Sequence, residues 1–358
     1  MTLNRVGVVG TGLIGTSIGL ALARRGTTVQ LLDRAPGRAA AAAALGAGRE
    51  VLEVADLGEC DHVVVATPPE STVAVVHELL RRTVRPTISD VSSVKANVVA
   101  EIETLDLDTS RFCSGHPIAG RERGGPGAAQ PELFDGAVWA VVPTGRTAEH
   151  AATDLAELAV RCGARVVRLS AAEHDAVLAA ISHLPQLAAS ALAAELPTLG
   201  ALAPALAGPG FRDTTRLAES DPALWTEIAR ANAGPVAAAL RRLSARLVAV
   251  ADGLAEGSAD PVTELLAAGN RGRALLPGKV NAARRAWRRV GVVLADQPGE
   301  LARLLVAIGA AGVNVEDLAI EHAPDHPVGY VDLSVAPESV DRLITTATQA
   351  GFAAHPID

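Results

Sequence analysis

The chain has 358 residues, enough for two or three domains with sizeable buried cores. With 49% hydrophobic and 20% charged residues it reads as globular, and a net charge of -8 supplies no basic field for nucleic acid. The cysteines Cys60, Cys113 and Cys162 lack metal-ligand spacing, which points to reduced thiols in a cytoplasmic protein without a structural metal.

Arginine carries most of the positive charge. The lysines are Lys95 and Lys279, which removes most candidates for a lysine-based mechanism. The N-terminus runs from Met1 to Arg5 into a strand pattern and leaves no room for a signal peptide.

Residues 1–168 read as a doubly wound α/β domain of Rossmann type. Arg5 to Val9 is a short buried strand, followed at once by Gly10-Thr11-Gly12-Leu13-Ile14-Gly15 and a helix pattern through Leu22. This is a dinucleotide fingerprint in its required context: Gly10 for the tight turn, Gly12 for backbone approach to a pyrophosphate, Gly15 for helix–strand contact. The second strand, Thr28 to Leu32, ends in Asp33, placed to bind a ribose 2'-hydroxyl and favouring NAD, while Arg34 beside it keeps NADP open.

Strands at Asp61–Ala66, Thr87–Val91 and Arg111–Ser114 lead into Thr67, into Ser92-Ser93-Val94-Lys95 and into Gly115-His116-Pro117. Ligands bind at the carboxyl edge of such sheets, so Thr67, Ser92, Ser93, Lys95 and His116 are expected on the cofactor's rim. Ser93 reads equally as a helix N-cap, and Lys95 as a solvated lysine. His116, expected in a tight turn at the sheet edge, is a poor core residue and the candidate for the chemistry. Strand, helix and strand at Ala137–Pro143, Leu155–Val160 and Arg165–Leu169 close the domain.

Residues 169–280 read as an all-α domain. Ala172 to Leu196 carries His174, Asp175, His183 and Gln186 and is interrupted by Pro185. His174 and His183 fall on opposite sides of an ideal helix, so they share no metal, and His174 is best read as a satisfied helix histidine. The apolar span Leu184–Phe211 reaches membrane-spanning length but holds Glu195 and four prolines, so it reads as buried helices of a soluble protein. Arg216 suits an anionic group, with an ion pair to Asp213 as the structural alternative. Residues 281–289 form a basic linker, and 290–358 run β-α-β-β-α-β, the ferredoxin-like order of an α+β module suited to binding or assembly.

Together the fingerprint, Asp90-Val91-Ser92-Ser93-Val94-Lys95, His116-Pro117-Ile118-Ala119-Gly120-Arg121-Glu122, Ser182-His183-Leu184-Pro185, Gly210 to Arg216 and Ser220 to Trp225 resemble the prephenate/arogenate dehydrogenase family of tyrosine biosynthesis. That family carries a helical dimerisation domain and a C-terminal ACT regulatory domain. The resemblance implies a cytoplasmic homodimer that oxidatively decarboxylates a cyclohexadienol, with no nucleic-acid or membrane partner. It makes His116 the base at the 4-hydroxyl, Ser93 its partner there, and Arg216 the clamp on the side-chain carboxylate. Glu122 and Asp213 would gate the site, Trp225 would pack behind it, and His183 and Gln186 would contact substrate.

The resemblance also implies tyrosine or another amino acid as an effector at the ACT domain. Gln186 stands where many prephenate-using members have histidine, which leaves arogenate open as the substrate. A β-hydroxyacid dehydrogenase would need a lysine between Lys95 and Lys279, and there is none. An NAD-responsive regulator with an amino-acid sensor is the non-enzymatic alternative.

Overall fold

The computed structural model describes residues 3–119, 125–276, 287–322 and 328–357. They fall into two compact units, residues 1–247 and 248–358. In chain order the first unit holds β1 (Arg5–Val9), α1 (Leu13–Ala23), β2 (Thr28–Leu32), α2 (Arg38–Ala44), β3 (Arg49–Glu50), β4 (His62–Val65), α3 (Pro69–Arg82), β5 (Thr87–Asp90), α4 (Ala96–Glu103), β6 (Phe112–Ile118), β7 (Val138–Val142), α5 (Glu149–Arg161) and β8 (Arg165–Arg168). Its helical part is α6 (Ala171–Leu178), α7 (Leu184–Ala194), α8 (Ala203–Leu206), α9 (Pro209–Thr215), α10 (Pro222–Ala231) and most of α11 (Ala233–Ala255).

The strands form one eight-stranded sheet in the order β3-β2-β1-β4-β5-β6-β7-β8. The near-continuous valine runs of β1 and β4 are buried on both faces, as parallel strands covered by helices must be. Val6, Val8, Val63, Val64, Ile88 and Phe112 have no exposed surface, and each such side chain contributes about 1.5–3 kcal/mol of burial.

One pairing departs from the doubly wound pattern: β7 runs antiparallel to β6. Only Phe112 and Cys113 of β6 pair with β5, and the strand then continues through Ser114 to Ile118 along β7. His116 therefore lies within a strand, opposite Ala140, and not in the tight turn expected for it. The overhang still carries it past the carboxyl edge of the parallel strands.

Pro185 does not interrupt the helix. A π-helical turn, Ala179–His183, joins α6 to α7, and Pro185 is the second residue of α7. The proline follows the point where the ladder has shifted, the Leu184 N–H bonding to the Ala179 carbonyl five residues back, so its missing N–H falls at the change of register. The continuous run Ala171–Leu199 is long and apolar enough to cross a bilayer by length and composition. It also carries the buried His174, Asp175, His183 and Gln186, each hydrogen-bonded within the same unit.

The second unit contains the end of α11, then α12 (Asp260–Ala274), β9 (Arg288–Ala295), α13 (Glu300–Ala310), β10 (Val315–His322), β11 (Val328–Val335), α14 (Val340–Gln349) and β12 (Ala353–Pro356). Its antiparallel sheet has the order β10-β11-β9-β12, the ferredoxin-like arrangement of a β-α-β-β-α-β chain. Val290, Val292, Leu304, Val331, Leu333 and Leu343 fill the space between sheet and helices with no exposed surface.

Candidate active site

The glycine turn after β1 is shaped for a dinucleotide. Gly10 has φ 95°, and a Cβ there would lie 2.5 Å from the Ala66 carbonyl oxygen. A Cβ on Gly15 would stand 1.9 Å from the Gly10 carbonyl oxygen, so α1 reaches the turn this closely only because both residues lack side chains. Gly12, by contrast, faces open space, where a pyrophosphate would approach the first amides of α1 with Leu13 and Ile14 behind them.

Asp33 stands at the end of β2 with its carboxylate already oriented. Its Oδ2 accepts the Thr11 N–H at 2.7 Å and the Thr11 hydroxyl at 2.8 Å, and its Oδ1 accepts the Ala35 N–H at 2.8 Å. Burial opposes its charge, yet these bonds hold the carboxyl below the usual range, so it is ionised and retains acceptor capacity for a ribose hydroxyl. Arg34 beside it is exposed. The Thr67 hydroxyl at the end of β4 is buried with no protein partner among the described residues, an orphan that a bound nucleotide would satisfy. These residues fit NAD.

Beneath the β6 overhang lies a buried ion pair. The Lys95 ammonium donates to Asp90 Oδ2 at 2.6 Å, the Gly115 carbonyl at 2.7 Å and the Ser114 hydroxyl at 3.1 Å. Asp90 also accepts from the Ser114 hydroxyl at 2.6 Å and the Ser92 N–H at 2.9 Å. Burial disfavours the Asp90 charge, but Lys95 and these donors outweigh it and hold the carboxyl low.

Lys95, expected on the cofactor's rim, thus has no exposed surface and is a strut under His116. Ser92 is likewise buried, with its hydroxyl 3.4 Å from that of Thr72. Ser93 is half-buried and does not cap α4. That role falls to Asp175, 80 residues on, whose carboxylate accepts the N–H groups of Lys95 at 2.9 Å and Ala96 at 2.8 Å.

His116 sits above this strut, half-buried. Its Nδ1 is 2.9 Å from Nε2 of His174, whose Nδ1 is 2.7 Å from Asp175 Oδ1. Burial first, then the Lys95 charge, then His174 and His183 push its pKa well below the usual histidine value, so the ring is neutral. Neutral and anchored through one nitrogen, it can take a proton on the other. His174, read from sequence as a satisfied helix histidine, is satisfied by the catalytic candidate itself. The adjacency of His174 and Asp175 was visible in the chain, whereas their distance to His116 was not.

The other expected contacts divide. His183 is buried, with Nδ1 3.2 Å from the Asn232 amide nitrogen and its ring edge-on to Trp225 at 6.1 Å. Gln186 donates both amide hydrogens inward, to the Leu217 carbonyl and the Ser220 hydroxyl, each at 2.6 Å, so it steadies the segment bearing Arg216. Its amide nitrogen has no hydrogen left for substrate. Arg216 and Asp213 are both exposed and form no ion pair among the described residues, which leaves the guanidinium available. Glu122 lies outside the described residues. Asn232, buried between α10 and α11, was not singled out from sequence, and nothing local marks it.

Residues 18–168 match the family described as prephenate dehydrogenase, nucleotide-binding domain, and residues 170–268 match prephenate dehydrogenase, dimerization domain. The chain is 35% identical over 350 residues to the probable prephenate dehydrogenase NovF of Streptomyces niveus, covering 94% of this chain and 95% of that protein. Its structure is similar to that of prephenate dehydrogenase from A. aeolicus in complex with hydroxyphenyl propionate and NAD+, with TM-score 0.69 and 26% identity over 76% of this chain and 98% of the other. Synechocystis arogenate dehydrogenase gives TM-score 0.69 and 26% identity over 75% and 99%. A glycine turn that fits NAD, a neutral histidine at the sheet edge and these likenesses agree: the chain belongs to the prephenate dehydrogenase family.

Proposed function

We propose that the protein is an NAD-dependent dehydrogenase that converts prephenate to 4-hydroxyphenylpyruvate and CO2 with His116 as general base. The observation that carries this reading is the imidazole of His116, anchored through Nδ1, with Nε2 unbonded among the described residues, and held neutral on a strand that overhangs the carboxyl edge of a dinucleotide-binding sheet. When bound, NAD supplies the hydride acceptor. The hydride leaves C4 of the substrate, the 4-hydroxyl proton passes to His116 Nε2, the bond from C1 to the carboxylate breaks, and its electron pair completes the aromatic ring.

The chain's other residues position that exchange. Ser93, half-buried on the turn after β5, would hold the same hydroxyl. Arg216 would clamp the side-chain carboxylate as a planar two-pronged donor, on a segment tied to α7 by Gln186, with Asp213 and Glu122 at the entrance. The helical part would form a homodimer, and its match to a dimerization domain supports this. The ferredoxin-like unit would act as an ACT-type module receiving tyrosine near the turn Asp296-Gln297-Pro298-Gly299 that leads into α13. Isothermal titration of tyrosine into the whole protein tests that role.

A second reading is favoured by Gln186. Its side chain is neutral and committed to protein partners, so position 186 offers no cation to an anionic side chain. Arogenate, whose side chain carries an ammonium, is then a competing substrate. Following reduced nicotinamide with prephenate or arogenate, each with NAD or NADP, tests both readings. Turnover with prephenate and NAD supports the first, a preference for arogenate supports the second, and silence in all four combinations overturns the enzyme.

A further inference from the structure

We infer that one buried cluster, closed by Asp175, holds His116 and His183 in opposite tautomers, so that the site offers one imidazole nitrogen as acceptor and another as donor. The argument begins with atoms whose roles are fixed. The Asp175 carboxylate can only accept, so His174 Nδ1, 2.7 Å away, carries a hydrogen. If that is the one hydrogen on the His174 ring, its Nε2 is an acceptor, and His116 Nδ1 at 2.9 Å donates to it. His116 Nε2 is left bare.

The second half of the cluster runs the other way. The Asp175 backbone carbonyl can only accept, so the Asn232 side-chain atom 2.8 Å from it is the amide nitrogen. That nitrogen has one hydrogen for Asp175 and one for His183 Nδ1 at 3.2 Å. His183 Nδ1 is therefore an acceptor, and in the neutral ring Nε2 carries the hydrogen. Among the described residues neither His116 nor His183 makes a hydrogen bond through Nε2. Asp175 thus orients one histidine with its side chain and the other with its backbone.

The π turn makes the pair possible. Nine residues of ideal helix set His174 and His183 about 180° apart. One residue inserted by the turn Ala179–His183 brings them to about 80°, so both can serve one site. On the proposed reading of His116 as base, its Nε2 takes the hydroxyl proton while the His183 Nε2–H donates to a substrate oxygen. His174, Asp175 and Asn232 are positioning residues, acting through the two rings.

Long-range proton–nitrogen correlation spectra of the full-length 15N-labelled protein at pH 7.5 test this without any turnover, with the two rings assigned by loss of signals in His116→Gln and His183→Gln. The expected spectrum has His116 protonated at Nδ1 and His183 at Nε2. The same tautomer in both rings, or the reverse pair, overturns the inference. In Asn232→Asp the new carboxylate can only accept, so the His183 signals should exchange and the substrate KM should rise about tenfold, while NAD binding holds. Unexchanged signals in a folded Asn232→Asp overturn the Asn232 role. Asp175→Asn should lower kcat by about 10-fold to 100-fold with KM for NAD unchanged, and an unchanged kcat overturns the Asp175 role. If no substrate turns over, the dehydrogenase reading fails while the spectra still decide the tautomers.

Discussion

Two histidines of the nucleotide-binding sheet are both pushed toward neutrality by burial, and only one of them is available for chemistry. His62, on β4, has no exposed surface and both ring nitrogens occupied: Nδ1 is 2.7 Å from the Thr87 hydroxyl and Nε2 is 2.8 Å from the Ser89 hydroxyl. The Thr87 hydroxyl passes its own hydrogen to Asp154 at 2.9 Å, which completes a chain from Ser89 through His62 and Thr87 to Asp154. His116, on the overhang of β6, has one nitrogen bound to His174 and the other without a bond among the described residues. Burial and a low pKa therefore do not mark a candidate for chemistry in this sheet; a ring nitrogen left without a partner among the described residues, on a strand that overhangs the carboxyl edge, does.

Replacing each ring tests that contrast most sharply. His116→Asn should lower kcat by about 10²-fold to 10⁴-fold, the range expected for a lost general base, with the melting temperature nearly unchanged. In the wild-type enzyme, burial, Lys95, His174 and His183 all disfavour the protonated His116 ring. Activity should accordingly persist below pH 6.5, and a pH–rate profile that falls with an ordinary histidine pKa would contradict this. Asp175, the anion facing the cluster, acts on the other side through His174.

His62→Gln should do the opposite, costing stability with little direct effect on chemistry. Burial depresses the folded pKa of His62 from 6.5 to about 3, so the fold holds it neutral while the unfolded chain binds a proton below pH 6.5. The stability it contributes is complete above pH 6.5 and is lost as pH falls toward 3, at about 1.4 kcal/mol per pH unit. Between pH 6.5 and 5 the wild type should lose about 2 kcal/mol more than the variant in urea unfolding. Parallel losses in the two proteins would show that His62 is not the group responsible.

Smaller effects are expected where the partners are less buried. Asp33→Ala removes the acceptor at the end of β2 and leaves Arg34 beside it. KM for NAD should rise about tenfold, and the preference should move toward NADP, as steady-state kinetics with both cofactors would report. Gln186→Leu removes the two bonds that tie Leu217 and Ser220 to α7. A loss of about 1–2 kcal/mol is expected, with a higher substrate KM and an unchanged kcat; a fall in kcat alone would mean that Gln186 reaches the reacting atoms after all.

Much of the fold is legible in the sequence because its causes are local. Gly10 and Gly15 declare a turn that other residues cannot make, and the apolar runs of β1, β4 and β9 declare buried strands. The β-α-β-β-α-β order of the second unit follows from periodicity and turn residues in the same way. His116 stands out as a candidate because a histidine between Gly115 and Pro117 has no local structural purpose.

The sequence by itself thus determined the dinucleotide turn and the order of strands and helices, and it singled out His116 as the candidate for the chemistry. The tertiary structure alone decided what that histidine touches. Its partner His174 lies 58 residues away, Asp175 caps α4 from 80 residues away, and Lys95 turns inward to Asp90 under an antiparallel overhang. A helical wheel sets His174 and His183 apart, and one π turn brings them round. Local sterics are carried by neighbouring residues along the chain. Hydrogen-bond partners across a core depend on how whole elements pack, and that information is spread over the chain rather than written at either partner.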